Sequence, residues 1–161
     1  MEKDKRKRIV LICSDGGHLA QTLHLKEMFL KYNYLLVTEQ TPATATLKES
    51  YNTFFLAARS KGKERGISFY FTALYNAFLS LKVLLKHWPK VIISTGSHTA
   101  IPMCILGKLL GIKVVFILSY ARVKSRAKSA DLIYKIADKF IIQWPDEQVN
   151  YPKGIYLGGI Y

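Results

Sequence analysis

The stretch RIVLICSDGGHLAQ, from Arg8 to Gln21, decides the fold because it joins a short apolar run directly to a glycine-bearing turn and a helical pattern. The run Ile9–Cys13 is nearly continuous in Ile, Val and Leu, which is typical of a parallel strand buried on both faces. A turn from such a strand into a helix presents backbone N–H groups at the positive end of the helix dipole. Gly16 and Gly17 carry no Cβ, so a ligand can approach this backbone closely. The stretch predicts an anion site, although the same glycines also suit a tight turn that only brings helix and sheet together.

The same order, a short apolar run followed by a helical segment, recurs along the chain. The predicted strands are Ile9–Cys13, Tyr34–Val37, Thr53–Leu56, Val91–Ser94, Val114–Leu118 and Phe140–Gln143, and the predicted helices are Gly17–Lys31, Gly66–Trp88, Thr99–Leu110 and Ala130–Ala137. Strands that alternate with helices indicate a parallel sheet covered on both faces. We therefore predict an α/β fold, a doubly wound, mostly parallel, Rossmann-like sheet. It forms a single domain over residues 9–161, after a basic N-terminal segment, residues 1–8.

The charge of the chain points to an anionic partner. Its 161 residues suit one domain, and 24 lysines and arginines face 11 acidic residues, a formal charge of +13. Nucleic acid, anionic lipid and a phosphorylated substrate would each fit this excess. Aromatic residues cluster in an apolar helix instead of alternating with basic ones, and no nucleic-acid recognition motif occurs in the sequence. We therefore expect a lipid surface or a phosphorylated substrate, and no nucleic acid.

The cysteines and the N-terminus carry less information. Cys13 and Cys104 stand 91 positions apart inside apolar runs, which predicts buried thiols in a reducing compartment. Neither the spacing of a metal site nor a cofactor motif is present in the sequence, so we predict no metal and no cofactor. The start MEKDKRKR is followed by a run too short for a signal peptide, so we expect no export.

Two further segments follow predicted strands and should meet the first turn at the carboxyl edge of the sheet. The stretch ISTGSHTAIP supplies the candidate anion-binding residues Gly96, Ser97, His98 and Thr99. Ser97 or Thr99 would also serve as a plain helix N-cap. The stretch YARVKSRAKSAD supplies Arg122 and three further basic residues, which fit either a solvated face or a diphosphate site.

His18 and Glu39 offer two different chemistries for the first turn. His18 titrates near neutral pH, so it is the candidate base or phosphate donor of that turn. Glu39 follows the second strand at about the place where a ribose-binding acid would lie, but the GxGxxG fingerprint is absent from the sequence. A dinucleotide site is therefore the secondary interpretation.

The segment GISFYFTALYNAFLSLKVLLKHW, residues 66–88, combines an uncharged apolar stretch with basic flanks. The uncharged part ends at Leu81 and is shorter than the roughly 20 residues of a spanning helix. We expect it to lie in the plane of an anionic membrane surface. The predicted membrane-contacting residues are Phe69, Phe71, Tyr75, Phe78, Lys82 and Lys86, and the basic residues before the segment are Arg59, Lys61, Lys63 and Arg65. A crossover helix packed with one side on the sheet is the alternative and is compatible with it.

Taken together, SDGGHLAQ, STGSHTAIP, YARVKS, IIQWPDE and YPKGIYLGGIY resemble the Alg14-like family, which includes bacterial capsule and exopolysaccharide proteins of the PssD and CpsF types. The likeness covers nearly the whole chain after the basic N-terminus. It implies the N-terminal, acceptor-binding half of a GT-B glycosyltransferase, similar to that half of the peptidoglycan enzyme MurG.

The resemblance also implies partners and roles. The chain would be the membrane-associated subunit of a hexosyltransferase on the cytoplasmic face of the cell membrane, inactive without an Alg13-like catalytic partner with which it shares the UDP-sugar donor. It would present a polyprenyl-diphosphate-linked saccharide acceptor. His18 matches the candidate catalytic base. The residues matching the substrate- or phosphate-binding loops are Gly16, Gly17, Gly96, Ser97, His98, Thr99 and Arg122.

One departure from the family keeps alternatives open. Members often carry Glu where this chain has Leu118, so an acid that acts elsewhere in the family is missing here. A non-catalytic membrane adaptor or activator of the catalytic chain is therefore the alternative function. A self-sufficient dinucleotide-binding enzyme is a third, supported by Glu39 alone.

Overall fold

The computed structural model describes residues 5–58 and 67–160, with side chains in the second stretch from residue 70 onward. Some residues of the predicted segments lie outside this description: residues 1–4, the basic flank at 59–65, the side chain of Phe69, and residue 161. The strands are β1 (Arg8–Cys13), β2 (Asn33–Glu39), β3 (Thr53–Leu56), β4 (Val91–Gly96), β5 (Lys113–Ile117), β6 (Lys139–Ile142) and β7 (Ile155–Tyr156). The helices are α1 (Gly17–His24), α2 (Lys26–Lys31), α3 (Leu47–Ser50), α4 (Ile67–His87), α5 (Ala100–Leu109) and α6 (Lys128–Tyr134), with short 3-10 turns at Pro42–Thr44 and Pro145–Val149.

The strands form a single parallel sheet in the order β3-β2-β1-β4-β5-β6-β7. Leu11 at the centre pairs with Leu36 of β2 on one side and with Ile93 of β4 on the other. The chain winds outward from β1 in both directions, so β1 and β4 flank the point where the strand order reverses. Ligands of doubly wound sheets bind outside the carboxyl ends of the strands at such a point. The predicted doubly wound α/β fold is confirmed.

Alternate residues of the central strands face two separate cores. Val10 and Ile12 of β1 pack with Met103 and Ile133 on the side of α4, α5 and α6. Ile9, Leu11 and Cys13 pack on the opposite side with Leu19 and with residues of α2. Burial on both faces explains why the central strands are almost uniformly apolar. Burial raises the pKa of the Cys13 thiol of β1 to about 11 and that of the Cys104 thiol of α5 to about 12.

The structure differs from the sequence prediction most clearly in the first helix and in the tail. The helix predicted over Gly17–Lys31 is divided at Leu25, where ψ is 43° and the backbone leaves the helical region. The break turns α2, so that Leu25, Met28 and Phe29 all pack on the second core. The tail also contributes β7, whose two residues pair with Ile141 and Ile142 of β6. The apolar tail broken by Gly158 and Gly159 is compatible with either a partner-covered segment or a last edge strand, and the structure contains the edge strand.

Helix α4 has apolar side chains on both its inner and its outer side. Its polar stripe faces inward: Asn76 is 7% exposed, accepts from the N–H of Ala57 at 2.9 Å and donates to the Ala57 carbonyl at 3.0 Å. Ser80 is also buried beside Leu84. The outer face of α4, by which we mean Tyr70, Phe71, Leu74, Tyr75, Phe78 and Leu85, is exposed. Both the crossover packing and the exposed apolar side that the sequence suggested are therefore present.

Candidate functional site

The carboxyl edge of the sheet opens into a cleft of about 1050 Å³. The lining comes from the loop after β1 and the first turns of α1, from the end of β4, from the loop after β5, and from the start of α6. Its members are Gly17, His18, Gln21, Thr95, Gly96, Ser97, His98, Phe116, Leu118, Ser119, Tyr120, Ala121, Arg122, Arg126, Ala127, Lys128, Ser129 and Ala130. The three segments singled out in the sequence thus form one site.

His18 is held in a defined orientation at the start of α1. Its Nδ1 lies 2.7 Å from the Thr95 carbonyl oxygen, which only accepts, so Nδ1 carries the proton and donates. The neutral ring then keeps a lone pair on Nε2. Burial lowers the pKa of His18 below 6.5, against the bond to Thr95, and the nearby charge of Arg122 lowers it further. His18 is therefore neutral near pH 7 and able to accept a proton.

The backbone around His18 is fixed by contacts between the loops after β1 and β4. The hydroxyls of Thr22 and Thr95 both donate to the His18 carbonyl oxygen, at 3.0 and 2.9 Å, and lie 2.8 Å apart. The N–H of Ser14 donates to the Gly96 carbonyl at 2.9 Å. Gly96 has a φ of 108°, and a Cβ there would lie 2.9 Å from Cε1 of His18. Gly96 is required both by its backbone conformation and by the closeness of the imidazole.

Cationic groups gather on the side of the cleft formed by the loop after β5 and the start of α6. Arg122 is half-buried, and its guanidinium donates to the Ser125 hydroxyl at 3.1 Å. Arg126 bonds Asp131 at 3.1 Å, and Lys128 begins α6. Helix α1 starts at Gly17 with no side-chain cap among the described residues, so N–H groups of its first turn remain available. Such a surface suits a phosphate or diphosphate.

The deep side of the cleft is uncharged. We call this the floor and define it by six buried residues: Gln21, Thr95, Phe116, Leu118, Ser129 and Ala130. Leu118 is 2% exposed, and its carbonyl accepts a 2.7 Å bond from the Gln143 side chain. Sequence reasoning missed Gln21 and Ser129. Gln21 lies three residues after His18, a spacing that places both on one side of a helix and would have revealed it.

The predicted site residues differ in their relation to the cleft. Gly17, His18, Gly96, Ser97, His98 and Arg122 line it. Gly16 precedes α1 with a φ of 73° and lies just outside the described lining. Thr99 does not cap α5 with its side chain within the described structure; instead its hydroxyl donates to the Glu39 carboxylate. Thr99 therefore occupies the predicted N-cap position of α5 without a side-chain cap bond, and the Ser97 hydroxyl donates to the Ser14 hydroxyl at 3.4 Å.

The Glu39 carboxylate does not reach the cleft. It is 7% exposed, accepts the Thr99 hydroxyl, and is not among the described lining residues. This removes the observation on which the dinucleotide site depended. Within residues 5–58 and 67–160 there is also no group of three or more His, Cys, Asp or Glu side chains that could hold a metal ion.

The predicted membrane-contacting residues gather on one side of α4. Phe71 is 67% exposed and Phe78 63%, Tyr75 lies between them, and Lys82 and Lys86 are exposed further along the helix. Their spacing follows the helical repeat, so they form one continuous stripe. A helix long and apolar enough to cross a bilayer does not occur in the described part of the chain.

The fold is shared with proteins of known structure. The crystal structure of Acinetobacter baumannii MurG is similar to this chain with a TM-score of 0.68 at 16% identity, over 87% of this chain and 42% of that one. The chain thus has the fold of one half of a GT-B glycosyltransferase, and spans less than half the length of that structure.

The family follows from the sequence itself. The model of the family described as "Oligosaccharide biosynthesis protein Alg14 like" matches residues 36–160, and the chain belongs to this family. The UDP-N-acetylglucosamine transferase subunit of Rattus norvegicus is 26% identical over 177 aligned positions, 94% of this chain and 82% of that protein. The corresponding subunit of Schizosaccharomyces pombe is 27% identical over 180 positions, 98% and 85% of the two chains. The predicted family is confirmed.

Proposed function

We propose that this chain is the acceptor-binding subunit of a two-chain glycosyltransferase. Its cleft holds a polyprenyl-diphosphate-linked saccharide, and an Alg13-like catalytic partner brings most of the UDP-sugar site. The setting we propose is capsule or exopolysaccharide assembly at the cytoplasmic face of the cell membrane. UDP-N-acetylglucosamine is the first donor to test, because the relatives are named as subunits of a UDP-N-acetylglucosamine transferase.

The observation that carries this proposal is the orientation of His18 inside a cleft with a cationic side. Nδ1 is engaged by the Thr95 carbonyl at 2.7 Å, which leaves Nε2 as the atom able to take a proton. Arg122, Arg126 and Lys128 line the same cleft. A diphosphate held by these groups would bring its attached sugar close to the imidazole.

In the proposed reaction the acceptor hydroxyl attacks the anomeric carbon of the donor sugar. A bond forms from the acceptor oxygen to that carbon, and the bond from the carbon to the donor's phosphate oxygen breaks. Nε2 of His18 takes the hydroxyl proton, and UDP leaves with the bonding electron pair. General-base assistance of this kind contributes roughly a hundred- to ten-thousandfold to the rate. The neutral, half-buried His18 suits the role at physiological pH.

The partner chain is proposed to cover the end of the sheet at β7. Leu157 is 72% exposed and Val149 87%, and Tyr156 of this edge strand is also exposed. By contrast, Ile160 packs on the domain's own second core and donates its N–H to Gln143 at 2.9 Å. The exposed part of the tail, and not its last residues, is therefore the better candidate for the interface.

We expect Leu157→Asp to abolish co-purification with the Alg13-like partner, because it would place a charge in an apolar interface. Leu30→Asp is the matched control, since Leu30 is 78% exposed but lies on α2. The measurement is pull-down of the co-expressed partner, with the thermal midpoint of each variant recorded. Full co-purification of the Leu157 variant would contradict this part of the proposal.

A second function, a non-catalytic membrane adaptor, is favoured by Leu118. A buried leucine lines the floor where the family often has an acid, and it supplies neither charge nor proton transfer. An adaptor would need only the partner surface and the outer face of α4, and its His18 would be dispensable.

The test is reconstitution of the purified two-chain complex on liposomes with UDP-sugars and with lipid-linked GlcNAc or glucose as acceptors. Transfer that needs both chains supports the proposed function. Transfer by the partner alone, increased only by the membrane attachment that this chain provides, would support the adaptor. Absence of transfer with every donor and acceptor pair would contradict the glycosyltransferase proposal.

A further inference from the structure

Gln21 is a buried side chain whose hydrogen bonding is incomplete. It is 3% exposed, lies on α1 three residues after His18, and lines the floor of the cleft. Its Oε1 has no hydrogen-bond partner among the described residues. Four buried side-chain oxygens share this condition in the described structure, those of Gln21, Thr38, Ser80 and Glu147, and of these residues Gln21 alone lines the cleft.

Gln143 is the comparison within the same molecule, because it is a buried glutamine whose amide is hydrogen-bonded at both ends by the fold. It is 2% exposed, and both ends of its amide are used: Nε2 donates to the Leu118 carbonyl at 2.7 Å, and Oε1 accepts from the N–H of Ile160 at 2.9 Å. Buried polar groups in proteins are nearly always satisfied in this way, because an unpaired one destabilises the fold. The Gln21 oxygen thus lacks the hydrogen-bond partner that a buried amide oxygen normally finds within the fold.

The surroundings of Gln21 indicate the kind of group that would satisfy it. The other floor residues, which include Thr95, Leu118 and Ser129, are uncharged and buried, whereas the cationic residues of the lining are half-buried or exposed: Arg122, Arg126 and Lys128. A neutral sugar therefore fits the floor, while its diphosphate fits the cationic side. His18 and Gln21 are separated by three residues on one helix, which places their Cβ atoms about 5 to 6 Å apart. A sugar over Gln21 thus lies beside the base.

We propose that Gln21 binds the acceptor: a rotation of its amide brings the side-chain oxygen, which is inaccessible in the unliganded structure, to the cleft. There it accepts a hydrogen bond from a hydroxyl or amide N–H of the lipid-linked sugar and so orients the attacking hydroxyl toward Nε2 of His18. This inference rests on the proposed function. It identifies the floor as the sugar site and the cationic side as the diphosphate site, and it assigns recognition of the sugar to a residue that carries no charge.

The experiment compares Gln21→Met and Gln143→Met in the full two-chain complex. Methionine keeps the length of the side chain and removes the amide. For Gln21→Met we expect kcat/KM for the lipid-linked acceptor to fall roughly ten- to a hundredfold, because a donor group of the sugar is left unpaired. We expect KM for the UDP-sugar to stay unchanged. The thermal midpoint should hold or rise, since an unsatisfied oxygen is removed, whereas Gln143→Met should lower it.

Modified acceptors identify the group that Gln21 binds. Lipid-linked glucose, GlcNAc and single deoxy sugars are assayed with wild type and with Gln21→Met. With the acceptor that lacks the bonded group, the two enzymes should have equal kcat/KM, because the interaction is already lost. If wild type and Gln21→Met have equal kcat/KM with the 2-deoxy acceptor, Gln21 binds the group at C2. If they are equal with another deoxy acceptor, Gln21 binds the hydroxyl that this acceptor lacks.

Calorimetric binding of a short-chain polyprenyl-diphosphate sugar separates this inference from the proposed function. If the complex binds this probe without transferring sugar, and Gln21→Met binds it more weakly, the proposed catalysis fails and the inference stands. If Gln21→Met retains wild-type binding and kcat/KM, the inference is overturned. A fall in thermal midpoint as large as that of Gln143→Met, with equal losses for both substrates, would also overturn it. Failure of the wild-type complex to bind the probe would overturn both.

Discussion

The cleft and the outer face of α4 differ in how their residues are brought together. The cleft depends on contacts across the sheet, such as the bond from His18 to Thr95, which lie 77 positions apart. The outer face of α4 depends on the repeat of one helix, from Tyr70 to Leu85. A substitution in the cleft disturbs groups that hold one another, whereas a substitution on the outer face leaves its neighbours in place.

The two regions also treat polarity in opposite ways. On the floor of the cleft the polar side chains are buried, and the Thr95 hydroxyl is paired with that of the neighbouring Thr22. On α4 the polar Asn76 and Ser80 are turned toward the domain, and large apolar side chains face outward. Exposed apolar patches of this kind mark sites of interaction with a membrane or another protein. The cleft therefore suits chemistry and the helix suits attachment, and substitutions should separate the two.

The largest expected effect is on the cleft. His18→Ala should lower turnover of the reconstituted complex by about a hundredfold or more, the scale of a lost general base. Liposome binding and co-purification with the partner should stay unchanged. His98→Ala is the control, because His98 is an exposed member of the same lining and should matter less. Normal turnover in both variants would replace the catalytic interpretation with the adaptor.

The outer face of α4 should show the reverse separation. Phe71→Ser and Phe78→Ser should each lower partitioning onto liposomes by roughly tenfold or more, because burying a Phe contributes about 1.5 to 3 kcal/mol. Both side chains are more than 60% exposed, at 67% and 63%, so the thermal midpoint should not change. The readout is flotation with anionic liposomes.

Lys82→Ala and Lys86→Ala should have smaller effects on flotation, about 1 kcal/mol each, which added salt abolishes. Leu30→Ser is the control for exposed apolar area away from α4. Flotation that does not change with salt or lipid charge would contradict the electrostatic attraction of these lysines to the membrane. Protection of tags on both sides of a bilayer would contradict the in-plane arrangement of α4.

The sequence was sufficient for the fold and for the convergence of the loops. The apolar runs around Leu11 and Ile92 are long enough to identify buried parallel strands, and carboxyl ends of parallel strands meet at one edge of the sheet. That rule alone brings Gly17, Gly96 and Arg122 into one region. The fold class follows from the local apolar pattern, and the segments that form the cleft follow from the rule that parallel strands end at one edge of the sheet.

The individual bonds of the site could not be predicted in this way. The Thr99 hydroxyl donates to Glu39, and the Ile160 N–H donates to Gln143. Both bonds depend on side-chain positions that no local sequence pattern encodes. The break at Leu25 is likewise set by how α2 packs on the sheet. Pairwise contacts between distant segments decide these features, and propensity has little influence on them.

Gly96 offers a test of how strictly the cleft is built. Gly96→Ala and Gly111→Ala both place a Cβ on a left-handed backbone, with φ of 108° and 74°, and each should cost about 1 to 2 kcal/mol of stability. At Gly111 the new Cβ meets open space among the described atoms, whereas at Gly96 it meets the His18 ring. We therefore expect both thermal midpoints to fall. Turnover, measured at a temperature where both variants are folded, should fall several-fold only in the Gly96 variant. Equal turnover in the two variants would show that the imidazole is not held against Gly96.

The smallest effect is the pH dependence, and it separates two histidines of similar character. Burial lowers the pKa of both His18 and His87 below 6.5, so in each case the unfolded chain takes up the proton first. Their contribution to stability is full above the unfolded pKa and is lost as pH falls toward the folded pKa. Only His18 lines the cleft, whereas His87 bonds the Ile9 carbonyl at 3.2 Å. We therefore expect the acid limb of kcat/KM to have an apparent pKa below 6.5, to persist in His87→Asn and to vanish from the residual activity of His18→Ala. An acid limb at or above 6.5, or one that survives the loss of His18, would assign the base to another group.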